Sequence, residues 1–199
     1  MNLTVEYYFA PQSPWTYLGH QRLQQIAAAS GARIEVLPAD YGRIFPASGG
    51  LPLPKRAPQR QAYRLVELAR FSQHLGLPLN VQPKHFPVPA DDAARLIVAV
   101  QQHDGHAAAL ALAGAVMRAV WVDERNIADP DTLATLLAEQ GLGATRLAES
   151  RSAAAQQAYD ANTDRALALG VFGAPTYAVQ GELFWGQDRL DFLQRRLAR

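Results

Sequence analysis

The strongest constraint on the fold is a strand that runs through a Ser-Pro turn directly into a helix near the start of the chain. Val5-Glu6-Tyr7-Tyr8-Phe9 is rich in aromatic residues and reads as a buried strand. Ser13-Pro14-Trp15-Thr16 follows. From there Trp15, Leu18, Gly19, Arg22, Leu23, Ile26 and Ala27 fall on one helical stripe. Gly31 supplies a C-terminal stop, and Ile34-Glu35-Val36-Leu37 is a second strand. The junction points free backbone N–H groups and the positive end of the helix dipole at whatever lies in front of Ser13. That environment lowers the pKa of a thiol. The chain contains no cysteine. If the junction acts on sulfur, the sulfur must arrive on a ligand.

The next stretch, Tyr41 to Pro58, is rich in Gly and Pro and reads as a loop, long enough to suggest a functional role over a plain linker. From about Gln59 to Gly170 the pattern is helical throughout. Arg60 to Leu75 carries apolar or small residues at Ala62, Leu65, Val66, Ala69 and Ser72, and Gly76-Leu77-Pro78 stops it. Asp91 to Gln102 opens with two acids, as the helix dipole prefers. His106 to Val120 is Ala-rich with a Leu/Val/Met stripe, Asp129-Pro130-Asp131 marks another start, and Glu149 to Leu169 ends at Gly170. Thr176-Tyr177-Ala178-Val179 and Glu182-Leu183-Phe184-Trp185 are short strands joined by Gln180-Gly181, a hairpin signal. Arg189 to Arg199 closes the chain as a helix, with Leu190, Leu193 and Leu197 inward and Arg195, Arg196 and Arg199 toward its negative end. This order predicts an α/β fold. A discontinuous thioredoxin-like domain takes residues 1–45 and 171–199, and an inserted all-helical domain takes residues 46–170.

Several function classes drop out. The net charge is +1 and no basic stripe is interleaved with aromatics, so nucleic acid is not an expected partner. No apolar run approaches the ~20 residues that span a bilayer. The chain enters its first strand without a basic leader or a small-residue cleavage site, so a cytoplasmic location is expected. His103 and His106 flank a helix break at Asp104-Gly105 and lack the i, i+4 spacing of helical metal pairs, so no metal is expected. Ser48-Gly49-Gly50 lacks the Lys-Ser/Thr of a phosphate loop, and no Gly-x-Ser-x-Gly elbow occurs.

Ser13-Pro14-Trp15-Thr16-Tyr17-Leu18 resembles the S-P-x-S-Y-L signature of the 2-hydroxychromene-2-carboxylate isomerases. The resemblance continues through Tyr63-Arg64, Glu67-Leu68-Ala69-Arg70, Gly76-Leu77-Pro78-Leu79 and Phe86-Pro87. Its most specific parts are Gly170-Val171-Phe172-Gly173-Ala174-Pro175-Thr176 and the run from Gly181 through Trp185-Gly186-Gln187-Asp188 to Leu190. It covers nearly the whole chain, in order. These isomerases share their fold with kappa-class glutathione transferases and DsbA-like disulfide oxidoreductases. The Ser-Pro-Trp-Thr turn takes the place of Cys-x-x-Cys, and without cysteine disulfide exchange is excluded. The resemblance implies a glutathione cofactor, a small aromatic carboxylate substrate and a homodimer.

Site residues follow from the same resemblance. Ser13 becomes the catalytic group, donating its hydroxyl to the glutathione thiolate; it also suits a helix N-cap. Pro175 resembles the cis-proline of thioredoxin folds, which would turn the Ala174 N–H and C=O toward glutathione as an added strand; an ordinary trans turn is the plainer reading. Trp185, Gly186, Gln187 and Asp188 complete the cofactor set. The turn would receive the γ-glutamyl carboxylate and Asp188 its ammonium group, unless Asp188 is simply a cap. Trp15, Tyr41, Phe45 and Phe86 are candidate substrate walls, although lone aromatics also serve as core. Arg64 and Lys55 are candidates for the substrate carboxylate, or lie on a solvated face. In the implied chemistry the thiolate adds to the conjugated ring system, the ring opens, a carbon–carbon bond rotates and glutathione leaves. Departures from the family pattern occur at Ala10, Pro46 and Pro89, where Asp, Lys and Asn are often found; the latter two lie at the acceptor end. A kappa-like glutathione transferase and a non-catalytic scaffold that holds peptides near Pro175 are the competing readings.

Overall fold

The computed structural model describes residues 3–198, so Arg199, expected at the end of the last helix, lies outside them. Strand β1 (Thr4–Phe9), helix α1 (Pro14–Ser30) and strand β2 (Arg33–Pro38) form a βαβ unit whose strands are parallel, Val5 opposite Ile34 and Phe9 opposite Pro38. Short-range signals set the limits of α1. The Ser13 side chain caps its first turn, and Gly31, at φ 69°, turns its N–H back onto the Ala27 and Ala28 carbonyls. Strands β3 (Thr176–Val179) and β4 (Glu182–Trp185) form the expected hairpin. Gln180 and Gly181 both take positive φ there, as the two-residue turn requires. The sheet order is β2-β1-β3-β4, with β3 antiparallel to β1.

The chain between β2 and β3 is helical with two corrections. Residues read as a loop from Tyr41 form helix α2 (Tyr41–Ser48), because the Asp40 carboxylate accepts from the Gly42 N–H at 2.7 Å and Gly49 closes the end at φ 73°. With Tyr41 and Ile44 buried in a core on the same face, these caps hold the helix although Pro46 forfeits a backbone bond inside it. Conversely, residues 76–90 are not helical between α3 (Pro58–Leu75) and α4 (Asp91–Asp104). Pro78, Pro83, Pro87 and Pro89 remove donors and push their preceding residues out of the helical region. Helices α5 (His106–Trp121), α6 (Pro130–Glu139) and α7 (Thr145–Glu149) follow. Helix α8 runs Ala153–Leu169, later than the expected start at Glu149, because Ser152 caps it through the Ala155 N–H. Helix α9 (Leu190–Leu197) leaves a 3₁₀ turn at Gln187–Arg189.

Side-chain alternation along the strands builds two cores. Val5, Tyr7 and Phe9 of β1 meet Leu23 and Ile26 of α1, Leu96 and Val100 of α4, Leu112 and Val116 of α5, and Leu193 of α9. Tyr8, Leu37 and Ala178 point to the other face, against Tyr41, Ile44 and Ala166 of α2 and α8. The helical block therefore shares its main core with the sheet. No described helix is long and apolar enough to cross a membrane.

Candidate functional site at the mouth of α1

Ser13 occupies the N-cap of α1 in extended backbone, φ −77° and ψ 124°, with Pro14 as the first helical residue. Its Oγ accepts from the Thr16 N–H at 3.3 Å, and its own N–H donates to the Ala10 carbonyl at 2.9 Å. Accepting leaves the hydroxyl proton free to be donated outward. The first turn of α1 holds no acidic residue, so the positive helix end is unopposed. Cap and anion donor are thus compatible roles of one oxygen.

A second wall is the segment before β3. The Ala174–Pro175 peptide is cis. The Gly173 carbonyl accepts from the Thr176 hydroxyl at 2.7 Å and from the Tyr41 hydroxyl at 3.2 Å, which pins the segment from both sides. Among the described residues the Ala174 N–H and C=O have no backbone partner. The Gly186 N–H donates to the Pro175 carbonyl at 2.9 Å, tying the final turn to this segment. Trp185 is half-exposed and lies over Gly173 so closely that a Cβ there would clash with the indole Nε1. Gly186 has φ 99°, and the Asp188 carboxylate folds back over it while pairing with Arg189 at 2.6 Å. Gln187 is buried. This turn packs on α1 at Gly19, about 9 Å along the helix from Ser13.

The candidate aromatic walls divide into two groups. Tyr41 and Phe45 lie together on α2, ring centres 5.6 Å apart, with Tyr41 buried. Trp15 meets Phe71 of α3 edge-on at 5.8 Å, and Phe86 packs on Trp121 at 4.8 Å. Between α1 and α3 is a cavity of about 310 Å³, lined by Trp15, Arg56, Arg60, Tyr63, Arg64 and Glu67 among others. The guanidinium of Arg64 lies over the rings of Phe86 at 5.2 Å and Trp121 at 5.8 Å. Burial, and secondarily the charge of Arg56, lower its pKa to about 10. Arg56 is lowered too, by burial and then by Arg60. Lys55 is exposed on a 3₁₀ turn, Leu53–Lys55, ahead of α3 and does not line the cavity. Arg56 and Arg60 escaped the sequence reading; the i, i+4 spacing of Arg60 and Arg64 was the available signal. A larger groove, about 540 Å³, lies between β4 and α9 and shares only Trp185 with the candidate residues.

The family model of the DSBA-like thioredoxin domain matches residues 4–198. The 2-hydroxychromene-2-carboxylate isomerase of Pseudomonas putida is 32% identical over 201 residues, covering 99% of this chain and 95% of that protein. A solved 2-hydroxychromene-2-carboxylate isomerase superposes with a TM-score of 0.82 at 29% identity, over 98% of this chain and 95% of that one. The cytosolic disulfide reductase DsbM of Pseudomonas aeruginosa, solved with GSH, superposes with a TM-score of 0.71 at 21% identity, over 99% of this chain and 100% of that one.

Proposed function

The chain belongs to the DsbA-like thioredoxin family and to its 2-hydroxychromene-2-carboxylate isomerase branch, and we propose that it is such an isomerase, acting with glutathione. One observation carries the reading. The strand–turn–helix junction is intact and the first turn of its helix holds no acid, yet the chain has no cysteine to place there. The groups around it fit a tripeptide thiol: a serine hydroxyl with a proton to give, and an N–H and C=O at Ala174 that have no backbone partner among the described residues. When bound, glutathione supplies a thiolate nucleophile for the conjugated ring of the substrate. Ser13 and the α1 dipole would hold that negative charge and keep the thiol ionised near neutral pH. Ala174 would pair with the cofactor backbone as with an added strand. Trp185, Gly186, Gln187 and Asp188 would take its γ-glutamyl end. The substrate is a small aromatic carboxylate, and the homodimer implied by the resemblance is part of the proposal.

Two substitutions test Ser13 separately as cap and as donor. Ser13→Ala retains the fold, loses about 1 kcal/mol of stability with the cap, and loses most turnover and glutathione affinity. Ser13→Asp keeps the cap and the stability, but its carboxylate repels the thiolate, so turnover is lost equally. Wild-type turnover in Ser13→Asp would refute the assigned role. Total glutathione, assayed through the reaction, stays constant in an isomerisation and falls stoichiometrically with a kappa-like transferase. Absence of glutathione binding by calorimetry rejects both enzymes and leaves the peptide-binding scaffold.

A further inference from the structure

Two hydroxyl groups converge on one carbonyl beside the junction. The Gly173 oxygen accepts from Thr176 of β3 at 2.7 Å and from Tyr41 of α2 at 3.2 Å. A carbonyl oxygen has two lone pairs, so this one is saturated. Tyr41 is 7% exposed, which leaves its ring little surface to offer a substrate. Burial raises its phenol pKa above the ordinary value, so the group keeps its proton and acts as a donor. The start of α2 is fastened to α8. The Asp40 N–H donates to the Thr163 hydroxyl at 3.0 Å, Thr163 in turn donates to the Tyr159 carbonyl at 3.0 Å, and Arg43 pairs with Asp164 at 2.6 Å. Tyr41 therefore reaches Gly173 from a base that the helical block holds in place.

We infer that Tyr41 is a positioning residue: its hydroxyl, together with that of Thr176, turns the Gly173–Ala174 peptide so that the Ala174 N–H faces outward as a donor to the backbone of bound glutathione. This peptide unit is trans and planar, so its C=O and N–H point in opposite directions. Holding the oxygen in the core aims the hydrogen away from it. The burial agrees: Gly173 is buried, Ala174 is half-buried, and the Ala174 N–H has no backbone partner among the described residues. One donor alone would leave the peptide plane free to swing about a single hydrogen bond. A second donor, from a different element, removes that freedom before the ligand arrives and lowers the ordering cost of binding. Phenylalanine would fill the same core space, so the hydroxyl is what the position adds. Naming glutathione as the ligand rests on the isomerase reading; the orientation of Ala174 rests on the hydrogen bonds alone.

The test compares wild type with Tyr41→Phe, which keeps the ring and deletes the hydroxyl, by two measurements on the whole protein. Without ligand, nitrogen–proton correlation NMR follows the backbone amides. The Ala174 resonance shifts and its exchange with water changes, while main-core amides such as those of Leu23 and Leu96 keep their positions. With ligand, calorimetry finds glutathione bound about threefold to tenfold more weakly than by wild type, the range of one hydrogen bond. S-methylglutathione, which has no thiol, weakens by the same factor, because the contact that suffers is to the ligand backbone and not to sulfur. Should Tyr41→Phe fail to fold by circular dichroism, Thr176→Val deletes the other donor on the same carbonyl and moves the same amide. An unmoved Ala174 amide, or glutathione affinity within about twofold of wild type, overturns the inference. So does a displacement spread over Leu23 and Leu96 as much as Ala174, which is general loosening of the core. The two readings fail separately. If wild type binds no glutathione, the cofactor reading is rejected and the ligand-free Ala174 amide decides the orientation by itself. Glutathione binding that Tyr41→Phe leaves intact rejects this inference alone.

Discussion

Gly19→Ala is the substitution whose effect the packing sets most closely. A Cβ at Gly19 would lie 2.6 Å from the Tyr177 hydroxyl and 2.8 Å from the Gln187 Cβ, against a normal contact of about 3.5–4.0 Å. Neither neighbour is a free end. Tyr177 is fully buried in the main core, and the Gln187 Cβ moves only with its backbone. To restore contact distance, α1 and the 187–189 turn must part by about 1 Å. Overpacking of this kind costs about 1–3 kcal/mol, and the rigidity of both neighbours favours the upper end. Alanine returns about 1 kcal/mol of helix propensity, leaving a net loss of about 2 kcal/mol. For a chain of this size that lowers Tm by about 4–8 °C. Gln25→Ala, at an exposed position of the same helix, is the control and shifts Tm by less than about 2 °C. In the proposed reading the turn that retreats holds the γ-glutamyl end, so glutathione affinity falls in Gly19→Ala. A Tm at or above wild type would refute the reasoning, because it would mean that α1 and the turn have slack between them.

Two other perturbations read the same architecture. Burial lowers the pKa of His20 to about 4, from the ordinary 6.5, with its ring held between the Tyr7 hydroxyl at 3.2 Å and the Leu110 carbonyl at 3.1 Å. The folded state binds this proton less well than the unfolded one, so its contribution to stability is full above pH 6.5 and is lost as pH falls toward 4. The loss is about 3 kcal/mol over that window; urea unfolding at stepped pH measures it, and His20→Gln must flatten the slope. Gly173→Ala drives a methyl group into the Trp185 indole, so tryptophan emission changes and glutathione affinity falls, with a stability loss under about 1 kcal/mol because the displaced ring is half-exposed. Unchanged emission would show that the indole does not cover Gly173 in solution.

What the sequence made legible is what neighbours in the chain decide. The limits of α1 rest on Ser13 and Gly31, and the hairpin on Gln180-Gly181; each is a local hydrogen-bonding or φ requirement that can be read from a few residues. Helix α2 was hidden because Pro46 is a strong local breaker, overruled by the paired caps at Asp40 and Gly49 together with the burial of Tyr41 and Ile44 against distant parts of the chain. The inner face of α3 was hidden for a different reason. Its apolar-looking stripe at Ala62, Val66 and Ala69 is exposed, whereas Arg64, Leu68 and Phe71 turn inward. An arginine turns inward when aromatic faces await it, and those faces, Phe86 and Trp121, are supplied from residues far along the chain. No helical periodicity encodes a partner at that separation. The proposed cofactor end of the candidate site is built from local motifs and was therefore visible, while the surroundings of Arg64 are built from tertiary stacking.

That division has a chemical consequence. A helix end stabilises an anion through space, and the field at Ser13 is indifferent to whether the sulfur in front of it is bonded to the protein. A protein thiol comes with its position fixed by the chain. A ligand thiol has to be positioned by binding, which costs several kcal/mol of lost translational and rotational freedom. In the proposed reading that requirement explains why the backbone around the junction is so firmly held. Gly173 is pinned by two hydroxyls, Gly186 by Pro175, and the last turn by close contact with α1 at Gly19. A thioredoxin-like frame that gives up its own cysteines can still direct thiol chemistry, provided that its edges are rigid enough to do by recognition what a covalent bond does by connection.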